Sequence, residues 1–406
     1  RVGRYNQSSV RMTAAGNITG IIDEDAPAHG KVSAKIQQLL NTLKRPKRKP
    51  LREYFIDEED ATLETPSTDP NAPKPEGTEM TPQPGDPLVI PSGLPLDLEG
   101  ALKRYGSSTY RANAVTVLDA NGKPTYNLSY GKLLSRTHKI AYSLLYKVGQ
   151  KGEPIRQGDR VALVYPNNDP ISFICAFYGC VMAGVVPVPV EVPVSKRNSS
   201  SNDAGGTGVG FLLGSLSVCW ALTSENCYKG LPKTSGGEVV TFKGWPRLNW
   251  CITENLNKPS RDWKPPVKPN GDVPAYIEYA LNKDGSTVGV TVTRNTMLCH
   301  AQTLTVAANY TEGEVMVCVL DFKREVGLWH GILCSVFNGM HVIFIPYTLM
   351  KVDPASWMKM ATKYKATVAV VKSRDMHWGL LAQKDHKDIN FSSLRLLLIA
   401  DGANPW

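Results

Sequence analysis

The chain has 406 residues, 42% of them hydrophobic and 20% charged. That balance excludes a collagen-like or wholly disordered polymer and leaves room for two or three domains around a large core. The formal net charge of +9 is unevenly spread: between Lys31 and Arg52 there are eight basic residues and no acid.

The densest basic run, from Lys44 to Lys49, attracts phosphate polymers or anionic lipid head groups by a salt-screened, sequence-blind force. A solvated linker, a nuclear-import signal and a polybasic contact all fit it. The eight cysteines include no Cys-x-x-Cys pair, and several sit in apolar runs, where a free thiol packs as a small hydrophobe. This usage fits a reducing compartment and argues against a disulfide scaffold or a zinc ribbon. A cytoplasmic location is expected, with nuclear entry through Lys44 to Lys49 as the alternative. The chain opens on Arg1 and stops at Trp406 inside a Gly/Pro-bounded turn, so both ends read as cuts.

Residues 1–64 are expected to form a basic extension. Within it Val32, Ile36, Leu39, Leu40 and Leu43 recur at helical spacing and predict a short amphipathic helix. Such a helix packs on a partner protein or stands alone as a marginal helix, and both readings stay open. Proline recurs among Glu, Asp, Thr and Gly through 65–93, which predicts an extended, disordered linker. The globular domain is expected over 94–406.

That domain opens with an apolar strand at 114–118, a helix at 133–148 and a fully apolar strand at 160–165. The nearly uncharged run 171–190 has the length of a membrane span, ~20 residues. However, Pro187 and Pro189 alternate with valine, which predicts a buried helix over 171–182, a turn at Gly184 and a buried strand. No transmembrane segment is expected. Ser, Asn and Gly crowd 196–210 and predict a mobile loop. It includes Gly205-Gly-Thr-Gly-Val-Gly210, whose spacing differs from that of a dinucleotide loop. A helix at 211–218 and a strand at 220–223 follow. A second round has strands at 275–279, 315–320, 341–345, 366–371 and 394–399, and helices at 295–309, 328–337, 354–363 and 374–382. Apolar strands alternating with helices predict an α/β fold with two mostly parallel sheets and layered helices. His330 and Cys334 share a helix face, but two groups do not make a metal site. No metal site and no nucleic-acid partner are expected for the domain.

Five stretches then occur in a telling order. Tyr126-Asn-Leu-Ser-Tyr-Gly-Lys-Leu133 is the first. The second runs from Gly158 through Pro166-Asn-Asn168 to Ala176-Phe-Tyr-Gly-Cys-Val-Met-Ala-Gly-Val-Val-Pro-Val-Pro189. The third is the strand Ala275-Tyr-Ile-Glu-Tyr279 with the loop Ala280-Leu-Asn-Lys-Asp-Gly-Ser-Thr-Val-Gly-Val290. The fourth is Leu320-Asp-Phe-Lys-Arg-Glu-Val-Gly-Leu-Trp-His-Gly-Ile-Leu333, and the fifth is Asp401-Gly-Ala-Asn-Pro405. Together they resemble the adenylate-forming superfamily, most closely fatty acyl-AMP ligases, over roughly 94–406. The wording and the upstream basic helix and linker resemble the first domain of a eukaryotic family with two tandem ligase-like domains, associated with fatty acyl and diacylglycerol metabolism.

The resemblance implies a reaction of carboxylate with ATP to give acyl-AMP and pyrophosphate, with Mg2+. The partner it implies is an acyl carboxylate or lipid-derived small molecule, with protein partners reached through the N-terminal extension. It places Lys283, Gly285, Ser286, Thr287 and Gly289 in the phosphate loop, where backbone and hydroxyls cradle the triphosphate. It sets Arg324, Glu325 and Gly327 at the border of the acyl and phosphate pockets, and Asp401, Gly402, Ala403 and Asn404 beside the adenine. The chain departs from the pattern in two places. Ala280, Leu281, Lys283 and Asp284 stand at hydroxyl positions and Val288 at the lysine position. Arg324, Glu325 and Val326 replace His-Asp-Met. The magnesium-binding Glu, the ribose-binding Asp and the C-terminal lysine of the family fall beyond Trp406. The domain is therefore expected to be partial, to hold no catalytic residue and to lack ligase activity alone. A complete domain would be a fatty acyl-AMP ligase or acyl-CoA synthetase type. The alternative is a degenerate pseudo-ligase acting in lipid sensing or protein interaction.

Overall fold

The computed structural model describes residues 85–148, 154–193, 204–281, 286–382 and 388–401. The basic extension, its amphipathic helix and most of the Pro-rich linker lie outside them. The elements in chain order begin with α1 (Leu98–Ser108), β1 (Asn113–Leu118), β2 (Pro124–Ser129), α2 (Tyr130–Tyr146), β3 (Arg160–Val164), α3 (Pro170–Ala183) and β4 (Val186–Val190). Next come α4 (Ala204–Ser215), β5 (Trp220–Thr223), α5 (Glu225–Gly230), β6 (Asn249–Ile252), β7 (Pro274–Leu281), β8 (Thr287–Thr293), α6 (Arg294–Ala307) and β9 (Val315–Cys318). A helix over 325–337, α7, joins Glu325–Leu328, a π-helical stretch Trp329–Cys334 and Ser335–Phe337. The described part closes with β10 (His341–Phe344), α8 (Tyr347–Val352), α9 (Ser356–Tyr364), β11 (Val368–Val371), α10 (Ser373–Ala382) and β12 (Leu396–Ile399).

Two main sheets form, as the alternating pattern predicts. One has six strands in the order β12-β11-β9-β10-β1-β2, parallel except for β2, and the other has four parallel strands ordered β4-β3-β5-β6. A third, two-stranded antiparallel sheet pairs β7 with β8. Helix α3 is buried along nearly its whole length, which an apolar sequence on every face requires. It packs on β1 of the larger sheet and on β3, β4 and β5 of the smaller one. Asp169 caps it by accepting a bond from the Ser172 amide (3.0 Å), Pro170 stands in the first turn, and Gly184 ends it at φ +72°. Among the described residues, no helix is long and apolar enough to cross a membrane.

The prolines of β4 fit because they face off the sheet. Val186 donates to the Asp159 carbonyl (2.8 Å), so Val186, Val188 and Val190 turn their amides toward β3. Pro187 and Pro189 then place their donor-free nitrogens on the outer edge, where a strand tolerates them.

The stretch expected to be a mobile loop through Gly210 differs. From Ala204 onward it is helical. A Cβ on Gly210 would sit 2.3 Å from Trp245 Cδ1 and 2.6 Å from the Gly244 carbonyl. That glycine serves close packing, which composition alone does not distinguish from flexibility. The loop read over 280–290 is also shorter, since Ala280 and Leu281 belong to β7 and Thr287 to Val290 belong to β8.

The carboxyl ends of the two main sheets are tied by charge. Glu191, just past β4, accepts a bond from Lys323 Nζ (2.7 Å), and the Lys323 side chain is 2% exposed. Lys323 lies in the turn after β9. Away from this edge, the His330 imidazole is buried and the His341 imidazole is half-buried. His330 Nδ1 meets the Tyr310 hydroxyl at 2.7 Å, and His341 Nε2 meets the Thr116 hydroxyl at 2.7 Å. Burial lowers both to about 4, with His300 adding to the effect at His330.

Two measurements check this packing. Glu191→Gln leaves the Lys323 ammonium buried without its counter-charge and should lower the unfolding free energy by about 1–3 kcal/mol. Adding Lys323→Met should recover most of the loss, and a double variant no more stable than Glu191→Gln would contradict the tie. Between the ordinary histidine value of 6.5 and about 4, the unfolded chain binds protons that folded His330 and His341 refuse. The denaturant midpoint should therefore drop between pH 7 and pH 5. An unchanged midpoint would argue against neutral burial of these rings.

Candidate functional site

The charged groups of the larger sheet gather where its parallel strands end, the usual place for a ligand in an open α/β sheet. After β9 the chain turns through Asp321, whose carboxylate accepts from the Lys323 amide (2.9 Å). The Arg324 guanidinium lies 3.3 Å from Asp321 and 3.8 Å from Glu191. Burial opposes its charge, but Asp321, Tyr279, Glu191 and Glu325 more than offset that and raise its proton affinity. The side chain is 41% exposed, and a guanidinium carries five donors in a fixed fork. Arg324 is thus held in place while part of its fork stays available to an anion.

The turn around Arg324 is backbone-constrained. Glu325 is exposed and adopts φ +50°, a left-handed conformation that non-glycine residues avoid. A Cβ on Gly327 would lie 1.8 Å from the Asp321 carbonyl oxygen, so only glycine fits. The π-helical stretch Trp329–Cys334 follows at once, an irregularity that recurs at functional sites.

The β7–β8 hairpin meets this turn. Tyr279 packs near Glu191 and Arg324, and its hydroxyl is pushed up to about 12 by burial first and by the Glu191 carboxylate second, against the pull of Arg324. Trp329 donates from Nε1 to Glu278 on the same strand (2.8 Å), and the His300 ring stands edge-on to Trp329 with centroids 4.9 Å apart. Burial lowers the pKa of His300, and the Glu278 charge opposes this. The hairpin register sets Ala280 opposite Val288 and Tyr279 opposite Gly289. Val288, which the resemblance sets at the lysine position, is 47% exposed. Gly289 leaves room for Leu212 of α4. The Thr287 hydroxyl is buried and has no hydrogen-bond partner among the described residues. Lys283 and Gly285 lie outside the described residues.

Asp401 follows β12 on the same edge as Arg324. Strands β12, β11 and β9 are adjacent and parallel, so two strand spacings, about 10 Å, separate their ends. The Asp401 carboxylate accepts from the Ser373 amide (3.0 and 3.1 Å) and hydroxyl (2.6 Å) at the start of α10. Partial burial raises its pKa, but these bonds outweigh it and hold the carboxyl below its ordinary value. Asp401 therefore latches the turn. Gly402, Ala403 and Asn404 lie outside the described residues. Glu191 was not anticipated beside these groups, and the roles of Asp321, Lys323, Glu278 and Trp329 within their motifs were not assigned from sequence. His330 is engaged by Tyr310, and Cys334 points at the Ala301 carbonyl. Among the described residues, no three His, Cys, Asp or Glu side chains converge to hold a metal.

Comparison with known proteins now fits this geometry. The AMP-binding enzyme family model matches residues 107–405. The chain is 58% identical over 409 residues to Disco-interacting protein 2 of Drosophila melanogaster, covering 99% of this chain and 23% of the relative. It is 54% identical over 404 residues to the human Disco-interacting protein 2 homolog B, covering 99% of this chain and 25% of that protein. It thus spans about a quarter of the length of these curated relatives. The crystal structure of a fatty acyl-adenylate ligase from L. pneumophila, in complex with acyl adenylate and pyrophosphate, superposes with a TM-score of 0.61 at 18% identity. The match covers 74% of this chain and 49% of that one. The fold is therefore that of adenylate-forming α/β enzymes, and the chain belongs to the AMP-binding enzyme family.

Proposed function

We propose that the whole protein activates a fatty acyl carboxylate with ATP, and that this chain supplies the wall of the site along the carboxyl ends of β4, β7, β9 and β12. The 94–406 region acts as the ligase-like domain, with 1–64 and 65–93 as its basic extension and linker. A carboxylate oxygen attacks the α-phosphorus, the bond to the bridging oxygen breaks, and pyrophosphate leaves with that electron pair. No proton moves, so the protein's part is in-line positioning and charge stabilisation.

The observation that carries the reading is Arg324, held by Asp321 and Glu191 beside the strand that enters the phosphate hairpin. Its guanidinium faces the charge that builds at the α-phosphate. Lys283, Gly285, Ser286, Thr287 and Gly289 receive the triphosphate, and the orphaned Thr287 hydroxyl supplies a donor there. The strained Glu325 and the side-chain-free Gly327 fix the path of the Arg324 turn. Asp401 lies on the adenine side, the side to which the resemblance also assigns Gly402, Ala403 and Asn404. Magnesium, when bound with ATP, would offset the charge of the triphosphate. The described residues offer it no carboxylate set, and no step is assigned to it.

Carboxylate-dependent exchange of labelled pyrophosphate into ATP by the whole protein tests the proposal. Exchange should appear with fatty acids, and Arg324→Gln should reduce kcat roughly 10²- to 10³-fold with a smaller change in KM. Val288→Lys should tighten ATP binding by calorimetry. No exchange with any fatty acid, together with no measurable ATP binding, would show instead a fold that has lost the reaction.

A further inference from the structure

A second feature lies at the far edge of the four-stranded sheet, away from Arg324. Strand β6 is the last strand there. Asn249 donates to the Cys219 carbonyl (2.8 Å) and Thr253 to the Thr223 carbonyl (3.0 Å). Residues 249, 251 and 253 thus face β5. By the same alternation, the amide and carbonyl groups of Trp250 and Ile252 face outward, with no ladder partner among the described strands. An unpaired strand edge is a template for an added strand.

Beside this edge is a cavity of about 190 Å³ lined by Tyr228, Phe242, Trp245 and Trp250 on its aromatic side and by the Glu238 and Arg247 pair on its polar side. A cavity of ~150 Å³ accommodates a benzene ring, so this one has room for one large side chain. Its walls are braced. The Phe242 and Trp245 rings stand 5.7 Å apart at 62°, Tyr228 and Trp250 stand 6.4 Å apart at 60°, and Trp245 is 7% exposed.

The rim is basic. Arg247 pairs with Glu238 and Lys229 with Glu225. That leaves Lys233, stacked over Tyr228 at 4.9 Å, and Lys243 without an acidic partner among the described residues.

We infer that this edge binds an extended acidic peptide of a partner protein. The peptide adds a strand along Trp250 and Ile252, seats one aromatic or large apolar side chain in the cavity, and sets its carboxylates against Lys233 and Lys243. Main-chain pairing supplies adhesion, while the cavity and the lysines supply selectivity. The inference stands apart from adenylation.

The test selects peptides from a random twelve-residue display library on the whole protein, and on a Lys233→Glu/Lys243→Glu variant. Both lysines are exposed, so the variant should melt like the parent. The expected result is enrichment of peptides with an aromatic residue flanked by Asp or Glu. A synthetic peptide of that kind should bind at least tenfold more weakly to the variant, and to the parent when its aromatic residue is replaced by alanine. No enrichment over the variant, or enrichment of peptides without acidic residues, would overturn the inference. So would an affinity indifferent to replacement of the aromatic residue.

Discussion

Everything in this domain is arranged around helix α3, which must keep water away from every face. An apolar helix cannot lie on a surface, so one sheet covers it on each side. Its contacts with β1 and with β3, β4 and β5 bind the two sheets to one shared core. Tyr178 of α3 donates to the Ile332 carbonyl (2.8 Å), which fastens the same helix to the π-helical stretch behind the site. Beyond that core, one group of charges gathers where the strands run out. Glu191, Asp321, Lys323 and Arg324 meet at that border.

On the proposed reading Arg324 stands where the resemblance sets an imidazole, and the two groups differ in charge. A guanidinium keeps its charge at any pH a protein survives, so the site carries a fixed cation rather than one that titrates near neutrality. Asp321 and Glu191 hold the side chain in place, which lowers the entropy lost when an anion arrives. The cost is local: a left-handed Glu325 and a glycine at 327 against a carbonyl oxygen. Strain concentrated beside a half-exposed cation marks this turn as more than a connector.

Much of the fold was legible in the sequence because parallel strands covered on both faces are written as unbroken apolar runs. Strands β3, β5, β9, β10, β11 and β12 all overlap such runs, and the prolines of β4 pointed to a strand rather than a membrane helix. Strand β6 was missed because Asn-Trp-Cys-Ile is short and mixed in polarity. Helix α1 carried a readable signal in Leu98, Ala101, Leu102 and Tyr105, which are buried on one face. Glycines 205–210 looked like a loop because composition does not tell flexibility from close packing. Motif order proposed Arg324, Glu325 and Gly327, and the structure shows them in one constrained turn after β9. Lys323 and Glu191 were invisible, since an ion pair between residues 132 positions apart leaves no local pattern. Asp401 was proposed from its motif position, and its bonds to Ser373 show a latch that the motif does not describe.

A structure of the whole protein with a non-hydrolysable acyl-sulfamoyl adenosine would test the central claim most directly. The account places the sulfamoyl group within hydrogen-bond distance of the Arg324 guanidinium, about 3 Å. The adenine should lie toward the turn after Asp401, and the acyl chain should lead away beside α7. A ligand bound at the opposite ends of the strands, or one that leaves Arg324 in contact only with Asp321 and Glu191, would contradict it.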